Sequence, residues 1–169
     1  VPMGVISAVK KNTFWDYLAN GIGLAGLSTP NFWLGIMLIL LVSVHLGWLP
    51  SGGYVPFSQA PVEWLRSLAM PAFSLALLQA GLLARITRSS MLEVLRQDYI
   101  RTAKAKGLPH HKVVLKHALS NALIPIVTSA GAYLPYVFLG SLVFESFFGL
   151  PGLGAYVIEA IGKQDFAIV

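Results

Sequence analysis

The sequence predicts an all-α protein, a polytopic bundle of transmembrane helices, and three observations carry that expectation. The first is composition: of 169 residues, 56% are hydrophobic and only 11% are charged, where an ordinary soluble domain carries about 25% charged residues. The second is segregation of charge. Leu18 to Leu49, Ser67 to Ala84 and His117 to Phe144 contain no Asp, Glu, Lys or Arg. A bilayer core ~30 Å thick needs about 20 apolar helical residues. The first and third runs exceed that length, and the middle one, of 18 residues, extends to Met91 when Arg85 and Arg88 snorkel. The third observation is that runs of this kind leave no polar face for solvent, which excludes a water-soluble bundle.

The elements follow in order. Val1 to Val9 is apolar, ends at Lys10-Lys11, and reads as the last turns of a helix reaching a membrane surface. It lacks the basic start of a signal peptide. With the abrupt stop at Ala167-Ile168-Val169, it reads as a piece cut from a longer protein. Lys10 to Asn20 is a polar connection. A first span covers roughly 22–46, with a kink expected at Pro30. Gly47 to Tyr54 is a loop of turn formers and interfacial aromatics, and a short amphipathic piece follows around Pro61 to Ser67. A second span covers 68–91 and a third 119–144, the latter kinked at Pro125 and Pro135. A polar section, 93–117, separates them. The tail, 145–169, holds a turn at Gly149-Leu150-Pro151-Gly152 and a short amphipathic helix, Ala155 to Ile161. The whole chain is one transmembrane domain.

Three spans in series alternate in direction, so the basic residues orient them. Lys10, Lys11, Arg85, Arg88, Arg96, Arg101, Lys104, Lys106, Lys112 and Lys116 fall on one side; Arg66 and Lys163 fall on the other. That asymmetry puts 93–117 in the cytoplasm, and the 47–67 loop and 145–169 tail outside.

The polar section carries the functional expectation. Good helix formers continue through Lys106. Gly107 then supplies a stop, since it can take the left-handed conformation at a helix C-terminus, and Pro109 suits the first turn of the next helix. Val113, Val114 and His117 share one stripe of that second helix by their i, i+3 and i+4 spacing. Two helices with a sharp bend, apolar on one side and basic on the other, have the shape of a docking part.

Tyr99-Ile100-Arg101-Thr102-Ala103-Lys104-Ala105-Lys106-Gly107-Leu108, followed by His117-Ala118-Leu119-Ser120-Asn121-Ala122-Leu123-Ile124-Pro125, resembles the coupling motif of ABC-importer permeases. That motif reads Glu-Ala-Ala, three residues, Gly, nine residues, Ile, one residue, Leu-Pro. Here Ala103, Gly107 and Leu119 match it, while Arg101, Thr102, His117 and Ser120 depart. The stretches Leu27-Ser28-Thr29-Pro30-Asn31-Phe32-Trp33-Leu34-Gly35, Leu46-Gly47-Trp48-Leu49-Pro50, Arg85-Ile86-Thr87-Arg88-Ser89-Ser90-Met91 and Pro151-Gly152-Leu153-Gly154 are similar to the dipeptide, oligopeptide and nickel branch. The resemblance covers nearly all of the chain.

The resemblance implies an inner-membrane permease subunit carrying peptides or a related small solute such as a nickel complex. Its implied partners are two cytoplasmic ATP-binding subunits, a second permease subunit and an extracytoplasmic solute-binding protein. ATP is used in those partner chains, and no cofactor is bound by this one. Arg101, Thr102, Ala103, Lys104, Gly107, Leu108, Pro109 and Leu119 are the implied ATPase-coupling residues.

The residues agree on independent grounds. The uncharged runs hold none of the buried acids or lysines that an ion-coupled carrier places along its path. No Gly-x-x-x-x-Gly-Lys-Ser/Thr loop is present, and neither are the signatures of a membrane-embedded hydrolase. With no cysteine, thiolate metal sites are excluded. His110 and His111 point to different helix faces and His117 lies about 10 Å further along, so no shared metal shell is expected. The basic residues are accounted for by orientation and by anionic headgroups, not by nucleic acid.

Glu145, at the outer end of a span, is a candidate gate or solute contact, or a solvated interfacial carboxylate. Gln79 and Asn121, polar at membrane depth, line a path or bond a neighbouring helix. Pro135 is a candidate for motion. The competing expectation is a membrane anchor whose basic hairpin holds lipid or a cytosolic partner without transport.

Overall fold

The computed structural model describes residues 1–165; the end of the predicted outward tail, 166–169, lies outside the described residues. All described secondary structure is helical. The elements are α1 (Pro2–Val9), α2 (Phe14–Ser28), α3 (Asn31–Leu38), α4 (Pro61–Val94), α5 (Asp98–Ala105), α6 (His110–Lys112), α7 (Ser120–Phe148) and α8 (Leu153–Gly162). Two π-helical stretches extend them: Ile39–His45 continues α3, and Val113–Leu119 joins α6 to α7.

By length and composition Pro61–Val94 and the continuous helical run His110–Phe148 can each cross a membrane, and Phe14–Ser28 with Phe32–His45 counts as a third if the broken pair forms one span. The break is sharper than the kink expected at Pro30. Pro30 takes an extended conformation, φ −61° and ψ 136°, and a proline ring also bars its predecessor from helical geometry. The helix therefore stops at Ser28 and restarts. Pro71, Pro125 and Pro135, by contrast, sit within continuous helix. The amphipathic piece at 61–67 is the first two turns of α4, and the polar connection shrinks to a turn before Phe14.

The chain divides into two compact units. The first is built from Val1–Ser28 and Leu78–Leu134; the second from Thr29–Leu77 and the chain from Pro135 on. Both α4 and α7 contribute one part to each.

In the first unit α1 and α2 cross α4 where side chains are smallest. A Cβ on Gly81 would lie 2.8 Å from the Gly23 carbonyl oxygen, and one on Gly4 would overlap the Ala84 carbonyl and Thr87. Such contacts let helix backbones touch, a packing mode suited to lipid, where no hydrophobic drive separates helix from solvent. Further along α4, Met91 forms the floor of a buried cluster with Ala8, Ile100, Ala103, Val113, Val114, Ala118, Ala122 and Ile126. In the second unit Met70, Phe144 and Phe148 form the core, joined by Leu38, Val42, Leu49, Leu75 and Leu150. Gly35 lets α3 approach α7, its Cβ position lying 3.3 Å from the Phe144 ring. Gly53 N–H donates to the Phe148 carbonyl at 2.8 Å, so the 47–60 loop covers the end of α7.

Little of α7 is covered. Only 11% of the apolar window in 110–148 is buried, and Ile124, Val127, Phe138 and Leu139 are each at least 61% exposed. An aqueous surface rarely carries so long an apolar stripe; in hydrocarbon the same stripe costs nothing.

Candidate functional site

The bend predicted at Gly107 is formed by a specific set of hydrogen bonds. After α5, Gly107 takes φ +73°. Its N–H donates to the Lys104 carbonyl at 2.9 Å, and the Leu108 N–H reaches back to the Ala103 carbonyl at 3.4 Å. This paired 5→2 and 6→1 arrangement is the Schellman C-cap, which satisfies carbonyls that the helix end leaves open. Pro109 then caps the next helix from outside, with φ −62° and ψ 143°, one position earlier than the first-turn placement expected. Its carbonyl accepts from the Lys112 and Val113 N–H groups. The same Gly-Leu-Pro tripeptide recurs at the end of α7. There Gly149 takes φ +64° and Leu150 N–H donates to the Glu145 carbonyl at 2.8 Å.

The second arm of the hairpin departs from the expected stripe at His117. Its buried stripe is Val113, Val114, Ala118, Ala122 and Ile126, and His117, expected on that stripe, is only half-buried. The arm passes through the π-helical stretch Val113–Leu119, and its buried side is the row Val114, Ala118, Ala122 and Ile126, spaced four apart, with Val113 beside it.

Ala103 and Ile100 anchor the first arm beneath. Arg101, Thr102, Lys104, Gly107, Leu108 and Pro109 stay exposed, and Leu119 is half-buried. The hairpin is thus a basic outer surface locked onto Met91 by an apolar underside. The Arg101–Asp98 pair on that surface, 3.5 Å apart and open to solvent, adds little to stability.

A second group of polar contacts has no counterpart among the sequence expectations. Asp16, 2% exposed, is the acceptor for four other residues. Arg88 holds it in a two-pronged contact, Nε to Oδ1 at 2.7 Å and Nη2 to Oδ2 at 2.8 Å. The Ser7 hydroxyl and the Asn20 amide donate to Oδ1, and the Asn12 N–H donates to Oδ2 at 2.9 Å. One carboxylate therefore ties α1, the 10–13 turn and α2 to α4, one turn before Met91. A buried charge is tolerated only when paired and hydrogen-bonded in this way. The signal in the sequence is faint: one acid at the edge of a long uncharged run, with no spacing to point it at Arg88.

The remaining candidates are dispersed. Gln79 is half-buried in α4 and Pro135 exposed in α7. Asn121 turns its amide back on the His117 carbonyl at 2.9 Å. Glu145 acts on a neighbouring helix. Its Oε2 accepts from the Gly154 N–H at 2.6 Å, capping the start of α8 from the end of α7. Gly152 and Gly154 leave room for this, because a Cβ at 152 would overlap the carboxylate and one at 154 would overlap Leu142. Glu145→Ala is expected to weaken that helix start by about 1 kcal/mol. Faster amide exchange at 153–157, with unchanged exchange in α5, would register it; equal protection in both would refute the capping role.

Helices of membrane-crossing length, lipid-compatible packing and an anchored basic hairpin together define a polytopic integral membrane protein. Comparison of the sequence with known proteins then names its family. The family model described as "Binding-protein-dependent transport system inner membrane component" matches residues 1–169, and the chain belongs to that family. It is 48% identical over 167 residues to a Brucella suis protein described as a peptide transport system permease, covering 99% of this chain and 53% of that protein. It is 41% identical over 167 residues to the dipeptide transport system permease protein of Bacillus subtilis, covering 99% and 52%. With the dipeptide transport system permease protein of Escherichia coli the figure is 38% over 192 residues, covering 100% and 57%. The chain spans about half the length of these relatives. The ABC-importer permease resemblance read from the motifs agrees with this family, and the relatives above are described as peptide or dipeptide transport system permeases.

Proposed function

We propose that the chain is part of the membrane-spanning permease of an ATP-driven importer of peptides, and that residues 99–117 couple it to cytoplasmic ATP-binding subunits. The observation that carries this reading is the hairpin. Its bend is held by a backbone cap, its underside is packed on Met91, and its exposed face carries Arg101, Lys104, Lys106 and Lys112. A force applied to such an element is transmitted to α4 and α7 and not absorbed by a loose loop. Peptide cargo is supported by the names of the relatives. In this reading a second permease subunit completes the path, a binding protein delivers solute from outside, and hydrolysis takes place in the partner chains. Gln79, Asn121 and Pro135 are proposed to lie along the path, and the hairpin faces the cytoplasm of the inner membrane.

Purification from membranes in mild detergent, with mass spectrometry of the accompanying chains, tests the assembly. The expected result is recovery of two ATP-binding chains and a second permease chain. Recovery of the protein alone, even after crosslinking at residues 101–112, would replace this reading with that of a non-transporting anchor.

A further inference from the structure

A group of basic side chains beside the Asp16–Arg88 pair is not part of the hairpin. In the first unit a cavity of about 570 Å³ is lined by Arg85, Arg88, Arg96, Ser89, Asn20 and Glu93, among others. No ion pair of Arg85 or Arg96 forms among the described residues. Arg88 is neutralised by Asp16 and Glu93 offsets one arginine, leaving the wall one positive charge in excess. Arg85, Ser89 and Leu92 follow i, i+4 and i+7 spacing on one face of α4, and Arg96 lies in the turn just after its end at Val94. That face begins where the uncharged stretch of α4 ends, at the level expected for a membrane interface.

The cavity opens beside a second, apolar one of about 180 Å³, lined by Gly23, Leu24, Leu27, Gly81 and Ala84. Asn20 and Arg85 belong to both linings. The two neighbouring cavities thus differ in character, one cationic and polar and the other mainly apolar, with Arg85 and Asn20 in the wall of both. Free phosphate would use only the first. A molecule joining an anion to hydrocarbon uses both.

We propose that this recess binds an anionic phospholipid. The phosphodiester sits at Arg85, whose guanidinium donates a fork of N–H groups suited to phosphate oxygens, with the exposed Ser89 hydroxyl as a further donor; both N–H groups of the Asn20 amide stay on Asp16. Arg96 adds positive field at the far end of the headgroup, and the first part of an acyl chain enters the slot between Gly23 and Ala84. Basic pockets between membrane helices recognise lipid headgroups in this manner. The bound lipid bridges α2 and α4 next to Asp16–Arg88, supporting the same part of α4 on which the hairpin rests.

The test reads bound lipid and does not depend on transport. The protein, with the subunits that accompany it, is placed in nanodiscs of mixed phosphatidylglycerol and phosphatidylcholine, and retained lipid is identified by native mass spectrometry after stripping. The expected preference for phosphatidylglycerol is about tenfold. Arg85→Gln with Arg96→Gln abolishes it, Arg85→Lys with Arg96→Lys keeps most of it, and Arg101→Gln with Lys104→Gln, outside the recess, leaves it intact. Equal loss in the last pair, or no preference in the unaltered protein, would show diffuse charge and overturn the site. Displacement of the retained lipid by excess inorganic phosphate would assign the recess to free phosphate and overturn the lipid proposal.

Discussion

Gly107→Val is expected to lower solute uptake and ATPase stimulation about tenfold or more while leaving membrane insertion intact. The reason is backbone conformation, not space. Nothing lies within 4 Å of a Cβ built at Gly107, but its φ is +73°. A β-branched residue held there is strained by about 1–3 kcal/mol, and relief comes by releasing the Gly107 and Leu108 N–H bonds to Lys104 and Ala103. The two arms then change angle, and in the coupling role proposed above the surface offered to an ATP-binding subunit is misplaced. Gly107→Asn separates this account from a simple loss of folding, because asparagine tolerates the left-handed region. It should retain most of the coupling. Uptake and ATPase stimulation in reconstituted vesicles are the measurements, and normal coupling in Gly107→Val would sink the claim.

The second large effect is expected at Asp16. Asp16→Ala leaves the Arg88 guanidinium, whose side chain is 25% exposed, without the carboxylate that two of its nitrogens contact. It also strands the Ser7, Asn12 and Asn20 donors. Removing one partner of a buried pair costs about 3–5 kcal/mol, and the partial exposure of Arg88 points to the lower end. Arg88→Met in the same protein should recover part of the loss, since an unpaired charge is worse than an apolar replacement. Thermal unfolding in nanodiscs gives the magnitude. Amide exchange should locate it in 1–28 and 78–134 and spare α8. Strict additivity of the two substitutions would mean that the contact contributes no coupling.

How much of this is legible beforehand differs from residue to residue. Uncharged runs of 18 to 32 residues can do little in a bilayer but form helices, because every backbone N–H and C=O must be satisfied within the segment. Gly107 is legible for a similar reason: glycine between a helix and a proline is the cheapest residue at positive φ. The π turn is not. Nothing in the order of Val113 to Leu119 marks it, and which of His117 and Ala118 turns inward beside Met91 and Ile100 is settled by packing. Pro30 announces a disturbance but not a complete stop.

Hydropathy, glycine and proline act locally, so the order of residues is enough to establish an all-α membrane protein, its family and the place of its hairpin. Which charges pair and which helices touch is settled only by packing. Asp16 and Arg88 stand 72 positions apart, Gly23 and Gly81 meet backbone to backbone, and Glu145 serves a helix other than its own. No spacing rule reaches across such distances. These contacts exist because desolvated polar groups must find partners wherever the packing of helices brings them.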